Sequence, residues 1–186
     1  MHFATKINQS KKQFLNPAHL LKEADVAPRM VVADFGCGNG HYVAAAAELV
    51  GNRGQVYGFD ILEDALSQTA TLAKLHGARN VTTKQCDLEK FQSTGLPDFS
   101  CDFVILSSIL HQVQKKNEVM REAYRVLKSG GKILVVDWDR DALLGPVPGD
   151  RIRKEDVRTI LEQFGFRPLR DLPAGSFHFA LLYGKS

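Results

Sequence analysis

Two kinds of hydrophobic pattern alternate along the chain. Short runs are apolar at consecutive positions and rich in β-branched residues, as in Val31-Val32-Ala33-Asp34-Phe35 and Phe103-Val104-Ile105-Leu106. Between them lie longer segments whose apolar residues recur three and four apart, the spacing of a helix that buries one face. The pattern predicts strands over 31–35, 55–59, 81–85, 103–106 and 132–136, with helices over 41–50, 63–76 and 117–127. Gly77 and Ser129-Gly130-Gly131 follow the last two helices as cap and turn residues. Strands apolar on both faces that alternate with helices indicate an α/β fold, a parallel sheet covered on each side. Right-handed crossovers then leave the doubly wound sheet as the common topology.

After Val136 the pattern changes. A loop, Gly145-Pro146-Val147-Pro148-Gly149, precedes a helix over 154–164. Two further strands, 167–172 and 177–183, are separated only by Pro173-Ala174-Gly175-Ser176. So short a connection cannot cross over, so the pair is expected to be an antiparallel C-terminal hairpin completing a mostly parallel seven-stranded sheet. Before the first strand, the segment from Ser10 to Asp25 reads as helix interrupted at Asn16-Pro17, where Asn16 suits a cap and Pro17 the first helical position. One domain is expected over 1–186: a helical lid or brace (1–30), a ligand-binding core (31–137), and a substrate loop, helix and hairpin (138–186).

Composition narrows the class. The 186 residues fit one domain of the usual ~100–200. With 44% hydrophobic and 24% charged residues, the chain is neither a disordered tail, a collagen-like repeat nor a disulfide scaffold. Cys37, Cys86 and Cys101 lie far apart without a C-x-x-C pair, which fits thiols in a reducing compartment and no metal site. No segment approaches the ~20 apolar residues of a membrane span. Lys6, Lys11 and Lys12 stand where a signal peptide would need an apolar stretch. A cytoplasmic protein without membrane attachment is expected, and nothing in the pattern fixes an oligomeric state.

The net charge of +3 is uneven. Residues 1–30 carry +3, residues 31–110 carry −4 and residues 111–186 carry +4. An acidic middle between basic flanks is unlike a nucleic-acid groove, and no nucleic-acid partner is expected. It suits a ligand that presents positive charge or hydroxyls.

Candidate chemistry clusters at strand ends. Asp34-Phe35-Gly36-Cys37-Gly38-Asn39-Gly40 closes the first strand, where ligands of doubly wound sheets bind. Glycines there let the backbone turn sharply and approach a ligand. Their spacing is G-x-G-x-G, not the G-x-G-x-x-G of dinucleotide sites. Asp60 ends the second strand, where a carboxylate can accept from both ribose hydroxyls of an adenosine, with Ile61 and Leu62 against the adenine. After the third strand, Asp87 can accept from the adenine amine, and Leu88 offers backbone groups.

The ordered set V-A-D-F-G-C-G-N-G, V-Y-G-F-D, C-D-L, C-D-F-V-I-L-S-S-I-L-H and E-A-Y-R-V-L-K-S-G-G-K-I-L-V-V-D resembles the class I S-adenosylmethionine-dependent methyltransferases, over Val31 to Val136. The last run is similar to the small-molecule branch that includes quinone-biosynthesis methyltransferases. The resemblance implies a Rossmann-like fold with a reversed last strand and S-adenosylmethionine as cofactor. It places Gly36, Gly38 and Gly40 around the methionine part, Asp60 on the ribose, Asp87 at the adenine and Ser107 near the methionine carboxyl end. Asp34, Ile61, Leu88, Phe14 and His111 complete the expected cofactor-binding set.

The run Ser107-Ser108-Ile109-Leu110-His111 lacks the N/D/S-P-P-aromatic motif of nucleobase amino methylases and a Pro-Cys nucleophile, and the isolated cysteines give no thiol cluster for arsenic. A small-molecule acceptor is therefore expected. Methyl transfer from a sulfonium depends mainly on alignment, so few catalytic groups are needed. His111, just past the fourth strand, is the candidate general base, or else it packs against the cofactor or caps the next helix. Asp137 either faces the same rim or is an exposed loop acid. Phe14 and Trp138 are expected as an apolar lid or as packing, Arg151 and Arg153 as anion binders or surface charge, and His178 as structural. Two other readings stay open at this point: a nicotinamide-dependent oxidoreductase, which the glycine spacing and the hairpin oppose, and a binding module that carries S-adenosylmethionine without transferring its methyl.

Overall fold

The computed structural model describes residues 14–186; the predicted helical segment before Phe14 and the three N-terminal lysines lie outside them. Seven strands form one sheet: β1 (Val31–Phe35), β2 (Gln55–Asp60), β3 (Val81–Gln85), β4 (Cys101–Ser107), β5 (Leu127–Trp138), β6 (Phe166–Leu172) and β7 (His178–Lys185). Their order is β3-β2-β1-β4-β5-β7-β6, with β7 antiparallel to both β5 and β6 and the remaining pairs parallel. The order reverses beside β1, between the crossovers that lead to β2 and to β4. That switch point puts a crevice at the carboxyl ends of these strands.

Helices cover both faces: α1 (Pro17–Glu23), α2 (His41–Val50) and α3 (Glu63–Leu75) on one, α4 (Lys116–Val126) and α5 (Lys154–Gln163) on the other. Successive residues of a strand point to opposite faces. Phe103 and Ile105 accordingly pack with α2, whereas Val104 and Leu106 pack with α4, all four fully buried. The same alternation in Ile133-Leu134-Val135-Val136 and Leu181-Leu182-Tyr183 explains why these runs are apolar without a break.

The expected elements form within a residue or two, with one larger difference. β5 begins at Leu127, because Leu127 pairs with Cys101 before the register shifts and the regular ladder starts at Lys132 opposite Phe103. The turn at Gly130, with φ of 75°, lies inside that irregular start. Asn16 caps α1 by accepting from the His19 N–H at 3.1 Å. Leu20 and Leu21 are buried against α2, so α1 packs on the core.

One buried acid fixes a loop of functional interest. Glu122 of α4 accepts from the backbone N–H groups of Gln92 (3.0 Å) and Thr94 (3.3 Å) and from Arg125 Nη2 (2.8 Å). These bonds tie the β3–β4 connection, which carries Asp87 and Leu88, to the helix. Burial alone would raise the Glu122 carboxyl, but the bonds from Arg125 and Thr94 outweigh it and hold it below the ordinary glutamate range. A lowered folded-state value means that stability is present above the unfolded value of ~4.3 and is lost as pH falls through the folded one. Glu122→Gln is expected to cost about 1–3 kcal/mol at neutral pH. In urea titrations the gap to the parent chain should close below about pH 4.

Candidate active site

A cavity of about 950 Å³ opens at the carboxyl ends of β1, β2 and β4. Its first wall is the β1–α2 turn. Gly36 and Cys37 both donate to the Phe59 carbonyl (2.8 and 2.9 Å), which folds the turn back over β2. Gly36 has φ of 79°, and a Cβ there would meet Ile109 Cδ1 at 2.4 Å. Gly40 (φ 82°) packs against the Thr69 backbone, where a Cβ would come within 2.7 Å of Cα. A Cβ on Gly38 would meet nothing within 4 Å, so the backbone edge of this cavity-lining residue is open. Gly36 and Gly38 therefore line the cavity, while Gly40 acts behind it by letting α2 approach α3.

Asp34 lies beneath this turn, 1% exposed, and its Oδ1 has no hydrogen-bond partner. Burial, with the nearby Asp60 carboxylate, pushes its pKa up to about 8. A buried carboxyl without a partner is costly, and a cation or strong donor would reverse the shift. Asp60 sits on the rim. Its Oδ2 accepts from Gly38 N–H (2.9 Å) and its Oδ1 from Leu62 N–H (3.0 Å), leaving lone pairs on both oxygens. Ile61 and Leu62, 58% and 63% exposed, form an apolar shelf beside it. Asp87 accepts from Glu89 N–H (3.0 Å), pairs with the exposed Lys90 (3.4 Å) and lines the cavity with Leu88. Ser107, at the end of β4, completes this half, next to Tyr42, whose phenol is raised by burial against the pull of Ser107.

His111 and Asp137 form a pair. The His111 Nδ1 is 2.8 Å from Asp137 Oδ1, which also accepts from Trp138 N–H at 2.8 Å. Asp137 is fully buried, not an exposed loop acid, and burial raises its carboxyl against these bonds. The partners meet because Ser107, the last residue of β4, pairs with Val136, so the turn after β4 that carries His111 passes beside Asp137 near the end of β5. His111 is only 9% exposed and stands off the cavity lining, which here consists of Ser108, Ile109, Gln112 and Val113.

Other expected residues fall elsewhere. Phe14 is 71% exposed with its ring 5.7 Å from Phe177, and Leu15 and Pro17 line the cavity in its place. Trp138 does line it, with the His178 ring 4.1 Å away and Gly145 closely packed on the indole. Arg151 is not an anion binder. It is 8% exposed, and its guanidinium donates to the carbonyls of Pro146 (2.8 Å), Asp139 (2.9 Å), Arg140 (3.0 Å), Ala142 (2.8 Å) and Leu144 (3.2 Å). Arg153 is an exposed partner of Asp156. All three cysteines are buried, and burial pushes Cys37 up to about 12 and Cys86 and Cys101 to about 11. Among the described residues no group of three His, Cys, Asp or Glu could hold a metal ion, and no helix is long and apolar enough to cross a membrane.

Sequence reasoning did not single out Tyr42, Gln112 or Val113, which also line the cavity. Tyr42 had a readable cue, a large aromatic in the first turn after the glycine loop; the other two lie in an irregular turn with none.

Comparison with known proteins adds an independent line. A profile for a methyltransferase domain matches residues 27–165. The chain is similar to arsenite methyltransferase of Mus musculus, 30% identical over 75% of this chain and 42% of that protein. It is also similar to the ubiquinone/menaquinone biosynthesis C-methyltransferase UbiE of Shewanella frigidimarina, 29% identical over 84% of this chain and 57% of that protein. The chain thus spans about half the length of such curated relatives. Among solved structures, a SAM-dependent methyltransferase from Aquifex aeolicus superposes with a TM-score of 0.85, 26% identity and coverage of 93% of this chain and 91% of that one.

Proposed function

Because the chain belongs to the S-adenosylmethionine-dependent methyltransferases, we propose that it transfers a methyl group from this cofactor to a small-molecule acceptor. The observation that carries the assignment to this cavity is Asp34, a buried carboxyl with an unpartnered oxygen and a raised pKa at the glycine turn. It suits the ammonium of the methionine moiety, which would return the acid to its charged form. Gly36 and Gly38 give that moiety a backbone wall, Asp60 has lone pairs for the ribose hydroxyls, and Ile61, Leu62 and Leu88 offer apolar surface to the adenine. Asp87 and Ser107 stand at the two ends of that path.

A pyrophosphate fits poorly. Among the described lining residues there are four acids, Asp34, Asp60, Asp87 and Glu89, and no lysine or arginine. This speaks against the nicotinamide cofactors. Arsenite is less well suited as acceptor, since Cys37 and Cys86 reach the cavity wall without a third thiol beside them and burial raises both thiols.

Bound here, S-adenosylmethionine supplies a methyl carbon on a sulfonium, and the electrons of the broken carbon–sulfur bond stay on sulfur. The protein's part is mainly alignment, worth up to ~7–11 kcal/mol when reacting atoms are held in line. With Asp137 accepting from a hydrogen on His111 Nδ1, Nε2 is the nitrogen free to take a proton. Since His111 stands behind the lining residues, it would reach the acceptor through one bridging water. The prediction is direct. S-adenosylmethionine at ~100 times its dissociation constant should stabilise the chain by about 2.7 kcal/mol in thermal unfolding, and NAD should not. Stabilisation by NAD alone would remove the assignment.

A further inference from the structure

The cavity wall beyond the cofactor-binding residues has a composition that narrows the acceptor. Leu15, Pro17, Ile109, Val113 and Trp138 make it apolar. Its polar groups include Ser108 and Gln112, whose Nε2 donates to the Ser108 carbonyl at 2.6 Å, leaving Oε1 as an acceptor. No lysine or arginine lines the cavity among the described residues. Arg151, the nearest candidate by sequence, is committed to five carbonyls of its own loop, and Arg153 to Asp156. Glu89, which also lines the cavity, accepts from the N–H groups of Gln114 (3.2 Å) and Lys115 (2.9 Å), which hold its carboxyl beside this wall.

Resting on the methyl-transfer reading above, we propose that this end of the cavity selects an acceptor that is uncharged, apolar in its frame and equipped with one O–H or N–H hydrogen for Gln112 Oε1. A carboxylate or phosphate would enter a wall that holds Glu89 and, among the described residues, no lysine or arginine to pair with it. A cationic acceptor would meet the sulfonium at the point of transfer. The acids of the wall oppose an anion, the sulfonium opposes a cation at the point of transfer, and a neutral molecule escapes both costs.

The chain contains a single tryptophan, Trp138, and it lines this cavity, so its emission reports occupancy. With S-adenosylmethionine at saturation, cyclohexylmethanol, cyclohexanecarboxylate and cyclohexylmethylammonium are titrated to millimolar concentration. The alcohol should bind about 10–100-fold more tightly than either ion. Gln112→Arg, at an exposed position, supplies the missing cation and removes Oε1, and should make the carboxylate the preferred probe. Equal or tighter binding of either ion to the parent chain overturns the proposal, as does an emission unmoved by all three. Failure of S-adenosylmethionine itself to stabilise the chain would instead overturn the functional reading beneath it.

Discussion

Asp60→Ala is expected to weaken S-adenosylmethionine binding about 10²-fold, measured by calorimetric titration. Hydrogen bonds to a charged group contribute ~1.5–3 kcal/mol each, and this half-exposed carboxylate belongs at the lower end. Two ribose contacts then amount to about 3 kcal/mol, or ~10²-fold. Asp60 also holds the glycine turn, since its Oδ2 takes the Gly38 N–H at 2.9 Å, so its removal frees the segment that faces the methionine moiety. Asp60→Asn should be impaired nearly as much, because an amide nitrogen turned toward the Gly38 or Leu62 N–H would oppose a donor with a donor. Unchanged affinity in both variants would place the ribose elsewhere.

His111→Ala is expected to slow turnover by ~10²–10⁴-fold while leaving cofactor affinity intact, assayed by release of the demethylated cofactor with an acceptor from a neutral-molecule screen. The pair with Asp137 crosses from β4 to β5, so a merely structural role would appear as a lower melting temperature. Rescue of turnover by added imidazole separates the two, because a free base restores proton removal and not a cross-strand contact. Asp137→Asn should reduce turnover too, since an amide no longer dictates which imidazole nitrogen carries the hydrogen. Full activity in His111→Ala would dismiss the residue from the reaction.

What the sequence disclosed follows from how local each property is. The strands of the centre are apolar on both faces because helices cover both, and that pattern needs no knowledge of the partner strand. The glycine turn, Asp60 and Asp87 were legible because strand ends converge on one edge of a parallel sheet. Asp137 was not, because it lies inside β5 opposite Phe179 of β7, and that β5–β7 pairing follows from the strand order and not from the local sequence. Arg151 misled for a related reason. Its five acceptors are backbone carbonyls, which leave no trace in residue identity. The displacement of Phe14 from the cavity by Leu15 and Pro17 is a matter of one residue of phase at the start of α1.

The sheet order carries a consequence for assembly. β7 follows β6 along the chain yet sits between it and β5, so β6 has no place in the sheet until β7 has paired on both sides. Any partly folded form that lacks β7 therefore presents two open strand edges at once, that of β5 and that of β6. Such a form is suited to exchanging the hairpin with another copy or to aggregating through it. Changes within Phe179–Tyr183, buried throughout, should thus lower the yield of soluble protein before they disturb the distant cofactor cavity.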